Sequence, residues 1–406
     1  MLTRFCLYGF LRNQQYFEPF FYLALLTRGI DFFTIGILFG AKALMVNLLE
    51  IPTGAIADSV GRRKSLIFSH IAYLIAITLF SGGKNLPLLL LGMAFYAIGE
   101  SFRSGTHKAV IFSWLKLHGL QNQKTEIYGK TRSWSKAGAA ISALIAGAIV
   151  FITQSYTWLF WFSLIPLTAN IFNFLAYPKD SPATNGKSFQ QRREAVWQSL
   201  KTGLSTCWNR RPLKGLLVEG MLFEGSYKTV KDYIQPMIRD FATGLVLLSS
   251  FSAERQIAIL IAISYGLIFA LSSLASRYAG RFSTAVGGEA RGARLLWKLD
   301  LGAYLFILSG VISGQLLIGI IGFLLVTVLQ NLWRPVLVSR VSEHSDNKLL
   351  ATVLSTESQS RTLFMALAAP FIGYTVDQFS GTGLELLPIA IFGLTISIVG
   401  IFYSAK

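Results

Sequence analysis

The chain alternates long apolar stretches with short polar ones along its whole length, and the apolar stretches have the length of membrane spans. A helix needs about 20 mostly apolar residues to cross roughly 30 Å of hydrocarbon. Such stretches lie at 9–27, 33–57, 65–83, 86–113, 133–153, 157–177, 215–237, 256–276, 293–313, 315–338, 352–376 and 383–404. They predict an all-α membrane protein of about 12 transmembrane helices. The least apolar are the seventh, which holds Glu219, Glu224, Lys228, Lys231 and Asp232, and the starts of the fifth and eleventh. Arg4 and Arg12 precede or enter the first stretch without a small-residue cleavage site, so it reads as a retained span.

One polar interval is longer than the rest. It opens at Pro178-Lys179-Asp180 and runs to Pro212, dividing the chain into a six-helix half (1–178), a connector (179–213) and a second six-helix half (214–406). Within the connector Val196, Leu200, Leu204 and Trp208 recur every four residues, with Arg192, Arg193, Lys201 and Arg211 pointing elsewhere. That spacing fits a helix lying on an anionic inner leaflet, and an ordinary solvated linker fits it equally well. The halves repeat each other weakly and in order. Phe17-Glu18 matches Phe223-Glu224, Phe102-Arg103 matches Trp333-Arg334, and Ser133-Trp134-Ser135-Lys136 matches Ser358-Gln359-Ser360-Arg361.

Composition agrees with a membrane protein: 406 residues, 53% hydrophobic and 14% charged, with a mean hydropathy of +0.52. The net charge of +17 raises the question of nucleic acid. The basic residues, however, gather in alternate loops, as at Arg62, Arg63, Lys64, Arg192, Arg193, Arg277 and Arg281, while the opposite loops hold little beyond Arg28, Lys84, Arg239 and Arg255. This is the positive-inside bias, and it predicts an inner-membrane, multi-pass protein with both termini cytoplasmic and no nucleic-acid partner. Cys6 and Cys207 form neither a metal site nor a redox pair by spacing, and the four histidines are scattered. No metal and no cofactor are expected. There is no Walker A loop, HExxH, GxSxG or paired CxxC, so the sequence offers no visible means of ATP hydrolysis or acyl transfer.

After the second span stands Gly54-Ala55-Ile56-Ala57-Asp58-Ser59-Val60-Gly61-Arg62-Arg63-Lys64, preceded by Glu50-Ile51-Pro52-Thr53. The spacing resembles the signature loop of the major facilitator superfamily: Gly, three residues, Asp, two residues, Gly, then basic residues. The resemblance implies two pseudo-symmetric six-helix bundles and a monomeric secondary transporter of a small-molecule substrate, surrounded by membrane lipid and working by alternating access. It assigns Gly54, Asp58, Gly61, Arg62 and Arg63 to a conformational latch, with the eleventh span as the partner helix. In physical terms Gly54 would permit close approach of a helix, and Asp58 is a fixed negative charge able to meet a helix N-terminus or Arg62. In the second half the counterpart reads Arg277-Tyr278-Ala279-Gly280-Arg281, with Arg277 in place of the acid. The fifth span has no Gly-Pro element, unlike many antiporters of that superfamily, and His107 stands where a Gly would follow Arg103.

Charges inside a bilayer are costly, so each is a functional or paired residue by default. In the superfamily that the chain resembles, spans one, four, seven and ten line the central cavity, and all four are polar here. Glu18 and Glu224 fall near mid-span and are candidate proton carriers; Lys228, one turn from Glu224, fits a structural ion pair as well. Glu100, Arg103, Lys228, Lys231, Gln330 and Arg334 are candidate cavity residues. Two guanidinium groups suit an anionic solute, and they equally suit a gate in which Arg103 and Arg334 pair with Glu100 or Glu357. Lys136 and Arg361, which begin spans five and eleven, are expected to snorkel to the inner interface. The expected activity is proton-coupled transport of a small organic, anionic solute. A drug or cation exporter of the same superfamily is the alternative, and an intramembrane enzyme or a non-transporting receptor the alternatives of other classes.

Overall fold

The computed structural model describes residues 1–178, 208–345 and 350–404, with the single positions 194, 198, 201 and 205. The repeating positions Val196, Leu200 and Leu204 of the connector lie outside the described residues. The described residues form helices joined by turns and short irregular segments, with no strand among them. The first half consists of α1 (Leu2–Arg12), α2 (Phe21–Leu26), α3 (Phe32–Val60), α4 (Arg62–Gly82), α5 (Leu86–Arg103), α6 (Thr106–Leu117), α7 (Lys124–Thr153) and α8 (Thr157–Leu175). The second consists of α9 (Arg211–Val230), α10 (Ile234–Thr243), α11 (Ala253–Val286), α12 (Glu289–Ile312), α13 (Leu316–His344), α14 (Leu350–Gln378) and α15 (Leu387–Ser404). Hydrocarbon offers no partner for a free amide, so apolar stretches of this length close their hydrogen bonds within a helix.

Among the described residues, 9 segments are long and apolar enough to span a membrane. The predicted spans 9–27, 215–237 and 352–376 are not among them, each for a visible reason. The first is interrupted after Arg12 and resumes as a 3-10 turn at Glu18–Phe20. The other two carry the charged residues of α9 and α14. The seventh span is also divided, by the 3-10 turn Lys231–Tyr233, and the fourth by Ser104-Gly105, where Gly105 has φ +72°. At the first interruption side-chain hydrogen bonds tie the chain to its neighbouring helices. Gln14 donates to the Gly138 carbonyl at 2.9 Å, the Tyr16 amide donates to Ser163 Oγ at 3.0 Å, and the Tyr96 hydroxyl donates to Gln15 at 3.0 Å. Glu18 therefore stands beyond the interruption whereas Glu224 precedes its counterpart, so these two glutamates do not hold equivalent positions.

The chain divides into two compact units, Met1–Ala24 with Ala41–Trp197, and Leu25–Gly40 with Gln198–Lys406. In the first unit α1 lies against α7 and α8, and α4 lies against α5 and α8. The small-residue face of the fifth span is where α7 meets α1: a Cβ on Gly138 would sit 2.6 Å from the Phe10 carbonyl oxygen. Phe5, Tyr8, Leu66, Ile111, Leu115 and Phe174 form a buried cluster beside it. In the second unit α9 packs on α14, α15 and α13, and α12 on α13 and α15. Phe223 stacks on Trp333 with centroids 4.2 Å apart and meets Trp297 edge-on at 4.9 Å. The first turns of α3 belong to this unit. Gly36 and Gly40 of α3 and Gly373 of α14 leave no room for a Cβ against the facing backbone, and Asp377 accepts from the Phe32 amide at 3.0 Å and the Phe33 amide at 2.7 Å.

The motif from Gly54 to Lys64 is mostly helix. α3 continues through Gly54 and Asp58 to Val60, and the chain turns on Gly61 alone, at φ +110°. A Cβ on Gly54 would meet nothing within 4 Å among the described residues. The second-half counterpart also shifts. Residues 277–281 lie inside α11, and the turn is made by Gly287 and Gly288, at φ +85° and +110°. Gly61→Ala is expected to cost about 1–3 kcal/mol, the usual size of a strained backbone conformation. Gly54→Ala, at an open helical position, should leave stability unchanged or slightly raised. Thermal unfolding in detergent checks both, and a wild-type melting temperature for Gly61→Ala would contradict the assignment.

Candidate functional site

Among the described residues, each unit contains a cluster of acidic and basic side chains set among apolar helices. In the first, Arg12 at the end of α1 donates to Glu100 on α5 at 3.1 Å and to the Tyr73 hydroxyl at 3.2 Å. Tyr73, on α4, donates to the same carboxylate at 2.6 Å, and its ring lies 4.7 Å beneath the Arg12 guanidinium. Arg103, one turn after Glu100, pairs with the other carboxylate oxygen and donates from Nε to Tyr73 at 3.3 Å. Two cations thus share one carboxylate and one phenol.

In the second unit Glu224 on α9 and Glu357 on α14 face Arg334 on α13 and Arg361 on α14. Arg334 donates to Glu224 at 3.1 Å and to Glu357 at 2.6 Å. Arg361 pairs with Glu224, lies 3.7 Å from Glu357 and donates to Ser358 at 2.8 Å. The carboxylates are 2% and 1% exposed and Arg334 is 32% exposed, so the acids are sealed while one guanidinium keeps an open edge. Arg103 is similarly open, at 28%. Farther along α9 and α13, Arg340 grips both oxygens of Glu219, at 2.6 and 3.2 Å. The two clusters repeat one plan with the charges exchanged. The first span offers Arg12 to a glutamate of the fourth, and the seventh offers Glu224 to an arginine of the tenth.

The predicted residues are thereby sorted. Glu100 and Arg103 come together in one cluster, and Glu224 and Arg334 in the other. Glu18 is exposed at the start of its 3-10 turn, outside both. Lys231 pairs with Asp232 at 2.7 Å, and Gln330 lies one turn before Arg334, half-buried. Of the motif residues, Arg62 donates to Ser113 at 2.6 Å and to the Ala109 carbonyl at 3.2 Å, and Arg63 to the Leu175 carbonyl at 2.6 Å. The Asp58 side chain lies outside the described set. His107 stacks on Tyr8 at 3.7 Å and bonds the Tyr177 hydroxyl at 3.1 Å, which makes it a packed interior residue. Among the described residues no group of His, Cys, Asp and Glu is arranged to hold a metal.

Arg361 corrects the expectation that it snorkels to the interface: its guanidinium turns inward because two buried carboxylates lie within reach. Arg12 is missed by a hydropathy reading, which takes it as a flanking charge. A local signal does exist, since Asn13-Gln14-Gln15 directly after it puts three amides inside a span and marks the interruption.

The sequence matches the Major Facilitator Superfamily over residues 5–357. The chain belongs to this superfamily. The matched region contains Arg12, Glu100, Arg103, Glu224 and Arg334, and the multi-pass membrane character of the protein follows from it. YxaM, an uncharacterized MFS-type transporter of Bacillus subtilis (strain 168), is 22% identical over 240 residues, or 55% of each chain. The chain thus aligns with about half the length of this curated relative. Among solved structures, the nucleoside transporter NupG superposes with a TM-score of 0.79 at 12% identity, covering 100% of this chain and 98% of that one. A POT family transporter in complex with 5-aminolevulinic acid gives 0.72 at 14% identity, covering 100% and 94%. At such identities the likeness is one of fold.

Removing one member of a buried ion cluster leaves an uncompensated charge, at a cost of about 3–5 kcal/mol. Glu357→Leu should therefore lower the melting temperature sharply, and adding Arg361→Met should recover part of the loss. A double-mutant cycle by thermal unfolding measures the coupling; strict additivity would mean that the cluster is not one unit.

Proposed function

We propose that this superfamily member is a secondary active transporter that carries a small organic anion by alternating access, coupled to protons, in the cell inner membrane with both termini cytoplasmic. The observation that carries this reading is the pair of half-open guanidinium groups, Arg103 and Arg334, each held by carboxylates that a solute can replace. A carboxylate or phosphate matches the guanidinium fork in a two-point contact. A solute anion that takes over Arg334 leaves the two buried carboxylates Glu224 and Glu357 with Arg361 as their one remaining cation in the cluster, and one that takes over Arg103 leaves Glu100 to Arg12 and Tyr73. Two carboxylates on one cation in hydrocarbon are costly, and uptake of a proton by one of them removes the excess charge. Anion entry is thereby tied to proton uptake, with Glu224 as the carrier within a cluster and Glu18 as the exposed one. Lys228, Lys231 and Gln330 add cations and an amide within about two turns of Glu224 and Arg334. Gly54, Asp58, Gly61, Arg62 and Arg63 form the latch of the cycle.

The names of the structural neighbours refer to nucleosides in one case and to peptides or 5-aminolevulinic acid in others. A scaffold that carries such different solutes names none, so the anion reading rests on this chain's own arginines. A thermal-shift screen of organic anions, followed by counterflow in proteoliposomes, supplies the assay. Arg103→Ala with Arg334→Ala should lower anion uptake roughly ten- to a hundredfold, the equivalent of about 1.5–3 kcal/mol for a charged hydrogen bond. Undiminished transport of a cationic or neutral solute by that double variant would favour the exporter alternative. Glu18→Gln and Glu224→Gln should each abolish the pH dependence of uptake, and its survival in both would remove the two carriers.

A further inference from the structure

Asp300 belongs to neither charge cluster. It sits at the middle of α12, 3% exposed, and its recorded side-chain hydrogen bond is to Ser397 of α15, with Ser397 Oγ 2.8 Å from Asp300 Oδ2. Ser397 Oγ is also 2.8 Å from the carbonyl oxygen of Gly393, one turn earlier on α15. A hydroxyl has one hydrogen, which can be aligned with one of these acceptors but not with both. If Asp300 is ionised, it takes the hydroxyl hydrogen and the second short contact is left with at most a poorly aligned share of it. If Asp300 is protonated, it donates to Ser397 Oγ, Ser397 donates to Gly393, and every short contact is a hydrogen bond.

The surroundings favour the protonated form for a second, independent reason. Tyr304 and Trp297 lie one turn to either side of Asp300 on the same helix. They close over α15 at Gly393 and Gly400, where a Cβ would collide with their rings. Tyr304 faces Asp300, and Tyr227 of α9 faces Tyr304. α15 contains no charged residue among Leu387–Ser404. On α13, Arg334 and Arg340 are engaged by Glu224, Glu357 and Glu219. On α12 itself Lys298 is exposed on another face. Among the described residues no cation is in ion-pair distance of Asp300, and an unpaired carboxylate sealed in a membrane interior is among the most costly arrangements available.

We infer that Asp300, with Ser397 as its hydrogen-bond relay, is a proton-binding site of this protein: protonated in the closed packing of α12 on α15, and able to release its proton only when that seam admits water. As a coupling site it rests on the proton-coupled reading given above; as a protonated buried acid it stands by itself. Proton release leaves the carboxylate charge on Asp300, which the closed seam cannot hold, so the site ties a proton to a helix movement. Trp297 meets Phe223 and Trp333, the neighbours of Glu224 and Arg334, and so passes that movement to the ion cluster.

Two measurements on the full-length protein in proteoliposomes test this. The infrared spectrum should contain the C=O stretch of a protonated, hydrogen-bonded carboxyl that is lost in Asp300→Asn and moves to higher frequency, toward an unbonded acid, in Ser397→Ala. The amide of Asn can donate to Ser397 as the protonated acid does, so Asp300→Asn should fold and sustain counterflow while losing proton-driven accumulation. Should that variant misfold, Ser397→Ala keeps the acid and carries the test. A spectrum unchanged by both substitutions, or full proton-driven accumulation by Asp300→Asn, overturns the inference. If the wild-type protein shows the carboxyl band but no proton-driven accumulation, the coupling reading fails and the proton site remains.

Discussion

A guanidinium or carboxylate in the middle of a bilayer has lost its hydration, and the cost, several kcal/mol for each ion, is recovered only from partners at hydrogen-bond distance. Much of what distinguishes this chain from a generic bundle of apolar helices follows from that constraint. Arg12 ends α1 where Glu100 and Tyr73 can receive it, and α9 tolerates Glu219 and Glu224 because Arg340, Arg334 and Arg361 lie opposite. The predicted seventh and eleventh spans are too polar to pass as membrane helices by composition. They are stable as helices because their charges are spent on each other.

The same accounting applies to the backbone. An interrupted span frees amides and carbonyls that lipid cannot satisfy, so an interruption persists only where side chains take them over. Asn13, which donates to the Gly9 carbonyl at 2.7 Å, and Ser163, which accepts from the Tyr16 amide, do so in the first unit. Asp377 does the equivalent at the start of α3, accepting from two orphan amides at a helix N-terminus, where a negative charge is favoured. Glycines then set how near the helices come. Gly138 admits the α1 backbone, and Gly36, Gly40 and Gly373 admit the α3 and α14 backbones to each other, a contact built from dispersion because lipid exerts no hydrophobic pressure between helices.

The charge-exchanged clusters say something about how the two halves relate. An ion pair joins the first span to the fourth and the seventh to the tenth with its signs exchanged, so that pair shares a location between the halves and not its residues. Fold similarity to NupG at 12% identity has the same character. Apolar length, helix order and the turns between helices suffice for the scaffold, and the polar interior is free to differ.

Hydropathy alone determines the all-α membrane class and most of the helix positions, because burial in hydrocarbon acts on each stretch independently of the others. The spacing from Gly54 to Lys64 resembles the superfamily's signature, and its Gly61 has a local reason, taking φ +110° where α3 turns into α4. Partner choice is not readable in that way. Whether Arg361 reaches the interface or Glu224, and whether Asp300 meets a cation or a serine, depends on the rotation of each helix about its axis and on the angle at which it crosses its neighbours. The alignment of the second turn, at Gly287-Gly288 and not at residues 277–281, depends on how far α11 continues before packing stops it. These are properties of contacts between segments distant in the chain, and only the tertiary structure decides them.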